Sequence, residues 1–132
     1  MSTNVNSNDM IYKDYITQVV DDRIKSLSKD IATYEKMCAD DFIHYMTVRL
    51  KSHTIAYIQR QWLVQLRELV EKEDTEKQIR EWLQSDVSFM MGKLMNFKVV
   101  QTTNELVNLK ENYQLEAYSE LIRLYNFWLN HK

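Results

Sequence analysis

The chain contains no proline, one glycine (Gly92) and one cysteine (Cys38) in 132 residues. Average usage would supply roughly six prolines and nine glycines. These two residues make the tight turns and sharp stops of most folds. A β-rich fold of this length needs many such turns, so their scarcity excludes one. A single glycine also cannot form the G-x-G-x-x-G or G-x-x-x-x-G-K loops that cradle phosphates. One cysteine cannot close an intrachain disulfide, which makes an intracellular, cytoplasmic setting the expectation. No apolar run reaches the roughly 18 residues of a membrane helix, and the polar first eight residues, without Lys or Arg, do not read as a signal peptide. No membrane partner is therefore expected.

What is present is an ordinary globular composition, with 45% hydrophobic and 27% charged residues and a net charge of −2. That is enough apolar material for one core in a chain of this size. The expected fold is all-α, a bundle of four or five helices behind a flexible Ser/Asn-rich arm at 1–9, with a single helical domain over 10–132.

Apolar spacing marks the helices. Tyr12, Ile16, Val19, Val20, Ile24 and Leu27 share one side, with Asp9 as the expected N-cap. Ile24, Leu27, Ile31, Tyr34 and Cys38 continue as a short heptad-like seam. Ser28 and Ser52–Thr54 are expected joints, and Asp40 and Asp41 mark a further helix start. The segment 10–50 either packs on the rest or projects from it, while 54–130 forms a core three-helix unit. Ile55, Ile58, Trp62, Leu66 and Leu69 form the expected core face of the helix at 54–72. Thr75-x-x-Gln78 reads as a capping box that opens a helix at 76–96 with Ile79, Leu83, Val87, Met90 and Leu94 inside. Gly92 within it predicts a close helix approach. Residues 96–101 break the pattern and read as extended. Thr102-x-x-Glu105 is a second box, opening a helix at 103–130.

That last helix is apolar on more than one side. Tyr118, Ile122, Tyr125, Trp128 and Leu129 widen the face already formed by Leu109, Tyr113, Ala117 and Leu121, and they are the expected protein interface. Phe89, Met90, Met91, Met95 and Phe97 form another cluster of interface-prone types.

Charge is segregated. Between Asp41 and Glu68 there is no acidic residue, yet Arg49, Lys51, Arg60 and Arg67 lie there with His44 and His53. A second acid-free stretch, 87–104, holds Lys93 and Lys98. The whole chain carries −2 and these stretches hold +4 and +2, so the remainder stands at −8. On one helix at 100° per residue, Arg49, His53, Arg60 and Arg67 align on the side opposite the expected core face. With Lys51 they form the expected face for an anionic partner, nucleic acid or acidic protein. The alternative is a solvated face, or pairing with acidic residues on neighbouring helices.

Catalytic chemistry has thin support. Asp41 and His44 at i, i+3 have carboxylate–histidine ligand spacing, but no second such pair occurs. Cys38 precedes Ala39-Asp40-Asp41, an acidic setting that works against a reactive thiolate, and it reads as a small core residue. No cofactor is expected. The leading expectation is a non-enzymatic structural or adaptor protein acting through helix-mediated assembly, with a protein partner or homo-oligomer. The alternatives are a small nucleic-acid-binding subunit and a metal-dependent helical-bundle enzyme.

Overall fold

The computed structural model describes residues 6–95 and 104–131, and they form five helices. These are α1 (Ser7–Asp40), α2 (Phe42–Val48), α3 (Leu50–Lys72), α4 (Glu76–Met95) and α5 (Glu105–Leu129). The chain is an all-α bundle, as its composition requires.

Asn6, not Asp9, caps α1. The Asn6 side chain accepts the Asp9 N–H at 2.9 Å, and the Asp9 carboxylate accepts the Asn6 N–H at 3.0 Å. The helix thus takes in three residues of the expected arm, and residues 1–5 lie outside the described part. It then runs unbroken for 34 residues, about 51 Å. The expected joint at Ser28 does not exist, because nothing there stops a helix. The Ser28 hydroxyl instead accepts from Arg60 of α3.

The break comes at Asp41, whose extended φ of −149° ends α1. Its carboxylate accepts the His44 N–H at 3.1 Å and so starts α2. The second break lies at Arg49, and α3 continues straight through the expected joint at Ser52–Thr54. Thr75 behaves as read from sequence: its hydroxyl accepts the Gln78 N–H and donates to the Gln78 side chain. Asn104 caps α5 by accepting from Leu106 and Val107. The expected cap Thr102 and the extended stretch 96–101 lie outside the described residues.

The chain runs up, down, up, down. Asp21 and Ser28 of α1 meet Arg67 and Arg60 of α3, which makes these helices antiparallel. Asp86 and Arg80 of α4 meet Tyr125 and the Leu129 carbonyl of α5 in the same sense. The segment 10–50 therefore packs along the bundle rather than projecting from it.

Ile16, Val20, Leu63, Leu66, Val70, Ile79, Leu83 and Leu121 are fully enclosed. The α4 face is the one its spacing indicates. The α3 face is not: its buried residues are Ala56, Gln59, Leu63, Leu66 and Val70, a turn of roughly 80° from expectation. Helix α3 touches α1, α4 and α5, so neighbours on several sides decide which stripe is enclosed. Ile58 and Trp62 are pushed to a half-buried flank, where Trp62 meets Phe89 and Tyr118. Gly92 permits no close approach, since a Cβ built there meets nothing within 4 Å.

Candidate functional site

The rotation of α3 decides the fate of the basic stripe. It does not face outward but borders the α1–α3 seam. Arg67 donates to Asp21 at 2.8 Å and lies 3.8 Å from Glu71. Arg60 reaches Ser28 and lies over the Tyr57 ring. His53 stands between the Tyr34 and Tyr45 rings, with Nδ1 2.5 Å from the Tyr45 hydroxyl. Lys51 pairs with Glu116 of α5 at 2.9 Å, which raises the ammonium's pKa. Only Arg49 has neither an ion pair nor a partner for its enclosed Nε among the described residues. Carboxylates on α1, α3 and α5 thus pair Arg67 and Lys51, while Arg60 and Arg49 form no ion pair among the described residues.

The expected interface residues are spent in the core as well. Tyr118, Tyr125 and Trp128 are buried, and Ile122 and Leu129 pack half-buried against the same cluster. Helix α5 is apolar on two sides because it packs on both α3 and α4.

The remaining sequence candidates take structural roles. The Asp41 carboxylate caps α2, and no group of three or more His, Cys, Asp or Glu among the described residues is placed to hold a metal. Cys38 is half-buried in the last turn of α1.

Two features were not anticipated. The first is a cleft of about 570 Å³ between α1, α3 and α5. It is lined by Arg23, Asp30, Tyr34, Lys51, Glu116 and Glu120 over a floor of Leu27, Ile55 and Ala56. Gln59, a buried polar residue, spans its inner edge by donating to Glu120 at 2.6 Å and to the Ala117 carbonyl. Arg23 Nε is enclosed there without a partner, yet three carboxylates line the same cleft.

The second feature is α2. Tyr45 is its one buried residue, and the hydrogen bond to His53 ties it to α3. Burial is the main cause that raises the Tyr45 pKa, with Cys38 nearby adding to it. The rest of the helix points away from the core. Phe42 is 56% exposed, Ile43 74%, Met46 45% and Val48 47%. Phe42 and Met46 stand one turn apart with Ile43 beside them, so these three share one outward arc. The sequence signal was available: FIHYMTV is seven residues with no Asp, Glu, Lys or Arg, too short to have both a wet and a dry apolar face.

At the same end of the bundle, Leu106 and Val107 in the first turn of α5 are exposed, as is Met95 at the end of α4. Among the described residues no helix is long and apolar enough to cross a membrane. No family model, no curated protein and no solved structure matches this chain.

Proposed function

We propose that the protein is a non-enzymatic helical assembly module that acts inside the cell by docking to another polypeptide through α2. The supporting observation is the uncharged outward arc of Phe42, Ile43 and Met46 on a short helix held to the body by one buried tyrosine. Its three exposed large side chains leave on the order of 300 Å² of apolar surface, the size of the largest patch on a typical monomer, which is often functional. Met and Phe are also residue types that interfaces favour. Two members of the basic face that would favour a nucleic-acid partner, Arg67 and Lys51, are paired with Asp21, Glu71 and Glu116.

Site-directed photocrosslinking tests this reading. A photoreactive residue at exposed Thr47 on α2 is compared with one at exposed Lys77 on α4, with the protein in its native cellular background. Protein adducts formed at position 47 and abolished by Ile43→Glu are the expected result. Equal adducts at both positions, or adducts indifferent to Ile43→Glu, would refute it.

A further inference from the structure

Resting on that reading, we infer that the partner of α2 is a second copy of this chain, paired antiparallel across a two-fold axis. Three observations on α2 argue for this occupant.

The first is the absence of charge. In an isologous interface each group meets its own image near the axis, so a charged patch repels itself. Phe42, Ile43 and Met46 carry none, and their mirror pairing sets apolar against apolar. A foreign partner selected by electrostatics would leave a charged patch here, and there is none.

The second lies at the helix ends. Asp41 stands immediately before α2 and Arg49 immediately after it. One oxygen of Asp41 holds the His44 N–H, and the residue is exposed. Among the described residues Arg49 forms no ion pair, and its side chain is half-buried. An antiparallel pair of α2 helices brings each Asp41 to the other copy's Arg49. It sets an ion pair between Asp41 and the Arg49 guanidinium at each end, and it places the two helix dipoles in opposition.

The third is area. Phe42, Ile43 and Met46 offer on the order of 300 Å² per protomer, whereas a standard stable interface takes about 800 Å². Helix α2 alone therefore makes a weak dimer in exchange with monomer. Leu106 and Val107 are further exposed apolar side chains at the same end of the bundle.

Sedimentation equilibrium of the full chain from about 1 to about 300 µM covers the range in which such a weak interface saturates. The wild type is expected to pass from monomer to dimer across it. Ile43→Glu is expected to raise the dissociation constant at least about a hundredfold, since each dimer contains the change twice. Ile43 is so exposed that the variant keeps its fold, and an unchanged circular-dichroism melt verifies this. Asp41→Asn retains the cap, because Asn caps as well as Asp, but removes the charge. It is expected to weaken the dimer about three- to tenfold and to lessen its salt sensitivity. A wild type that stays monomeric at the highest concentration overturns the inference, as does a dimer indifferent to Ile43→Glu. A dimer indifferent to Asp41→Asn overturns the antiparallel pairing. A monomer whose crosslinks at position 47 reach a different protein removes self-association and leaves docking through α2 standing. A monomer with no crosslinks there removes both.

Discussion

Where α1 begins and α5 finishes, the bundle is tied at nearly every strand of backbone; where α2 turns the corner, one side chain does the work. At the tied end, Asp9 accepts the Glu76 N–H at 2.8 Å and so joins the starts of α1 and α4. That bond, followed by the one from Asn6, lowers the Asp9 pKa. The Tyr12 hydroxyl donates to the Trp128 carbonyl, and burial pushes its pKa up to about 12. Arg80 lies 4.2 Å from the centre of the Tyr12 ring and donates to the carbonyls of Leu129 and His131. Lys13 donates to the Glu71 carbonyl at the end of α3. The last carbonyls of a helix lack partners within it, and here cationic side chains from other helices supply them. At the other end, the Tyr45–His53 hydrogen bond is the one side-chain hydrogen bond from α2 to another helix among the described residues, and the apolar surface of α2 meets solvent. The lesson is that a chain without glycine or proline turns can still finish a bundle tightly, so the unfinished end is informative about where contacts with other molecules belong.

The contrast can be broken by substitution. The largest effect is expected for Leu83→Ala, which empties a fully buried site in the four-helix body and should lower unfolding free energy by about 2–5 kcal/mol in urea titration. Arg80→Ala removes the carbonyl ties and the ring contact and should cost about 1–3 kcal/mol by the same assay. Phe42→Ser, at the open end, should stay within about 0.5 kcal/mol, measured at a concentration where the protein is monomeric. An equal loss for Phe42→Ser and Leu83→Ala would erase the distinction between the ends.

Asp86 gives a pH handle on the tied body. Burial pushes its carboxyl up to about 6, against the opposing hydrogen bond from Tyr125 at 3.1 Å. The folded state therefore holds this proton more tightly than the unfolded chain. Its contribution to stability is full below pH ~4 and is lost as pH rises to about 6. Asp86→Asn, which can still accept from Tyr125, should remove that decline and gain about 1–2 kcal/mol at pH 7 after allowance for partial exposure. Thermal melts at pH 4, 5, 6 and 7 check it; identical pH profiles for both proteins would contradict it. A modest gain is expected for Gly92→Ala. With room for a Cβ in a helical backbone, it should stabilise α4 by about 0.5–1 kcal/mol.

The helical class was legible from composition, and the face of α4 from spacing, because Ile79, Leu83 and Met90 face a single interior. The break at Asp41 was legible for a local reason, the side-chain cap. What was not legible depends on neighbours. Spacing orders residues around an axis but does not say how many helices surround it. The α3 face was therefore misplaced by roughly 80°, and the arginine stripe was read as an outward face for an anionic partner. The same limit turned Tyr118, Tyr125 and Trp128 from core residues into an expected interface. Ser28 failed as a joint because a cap residue stops a helix only where the next turn gains by starting afresh, and here Leu27 and Ile31 already hold α1 to the core. The true outward patch hid in a segment too short to show a period.

Amide hydrogen exchange of the full chain at several protein concentrations compares both ends in one experiment. If α2 is the contact between copies, amides at 42–48 exchange more slowly as concentration rises from about 1 to about 300 µM, while those around Tyr12, Arg80 and Trp128 do not change. Protection at 42–48 that is independent of concentration, or a concentration effect confined to the tied end, would contradict the account.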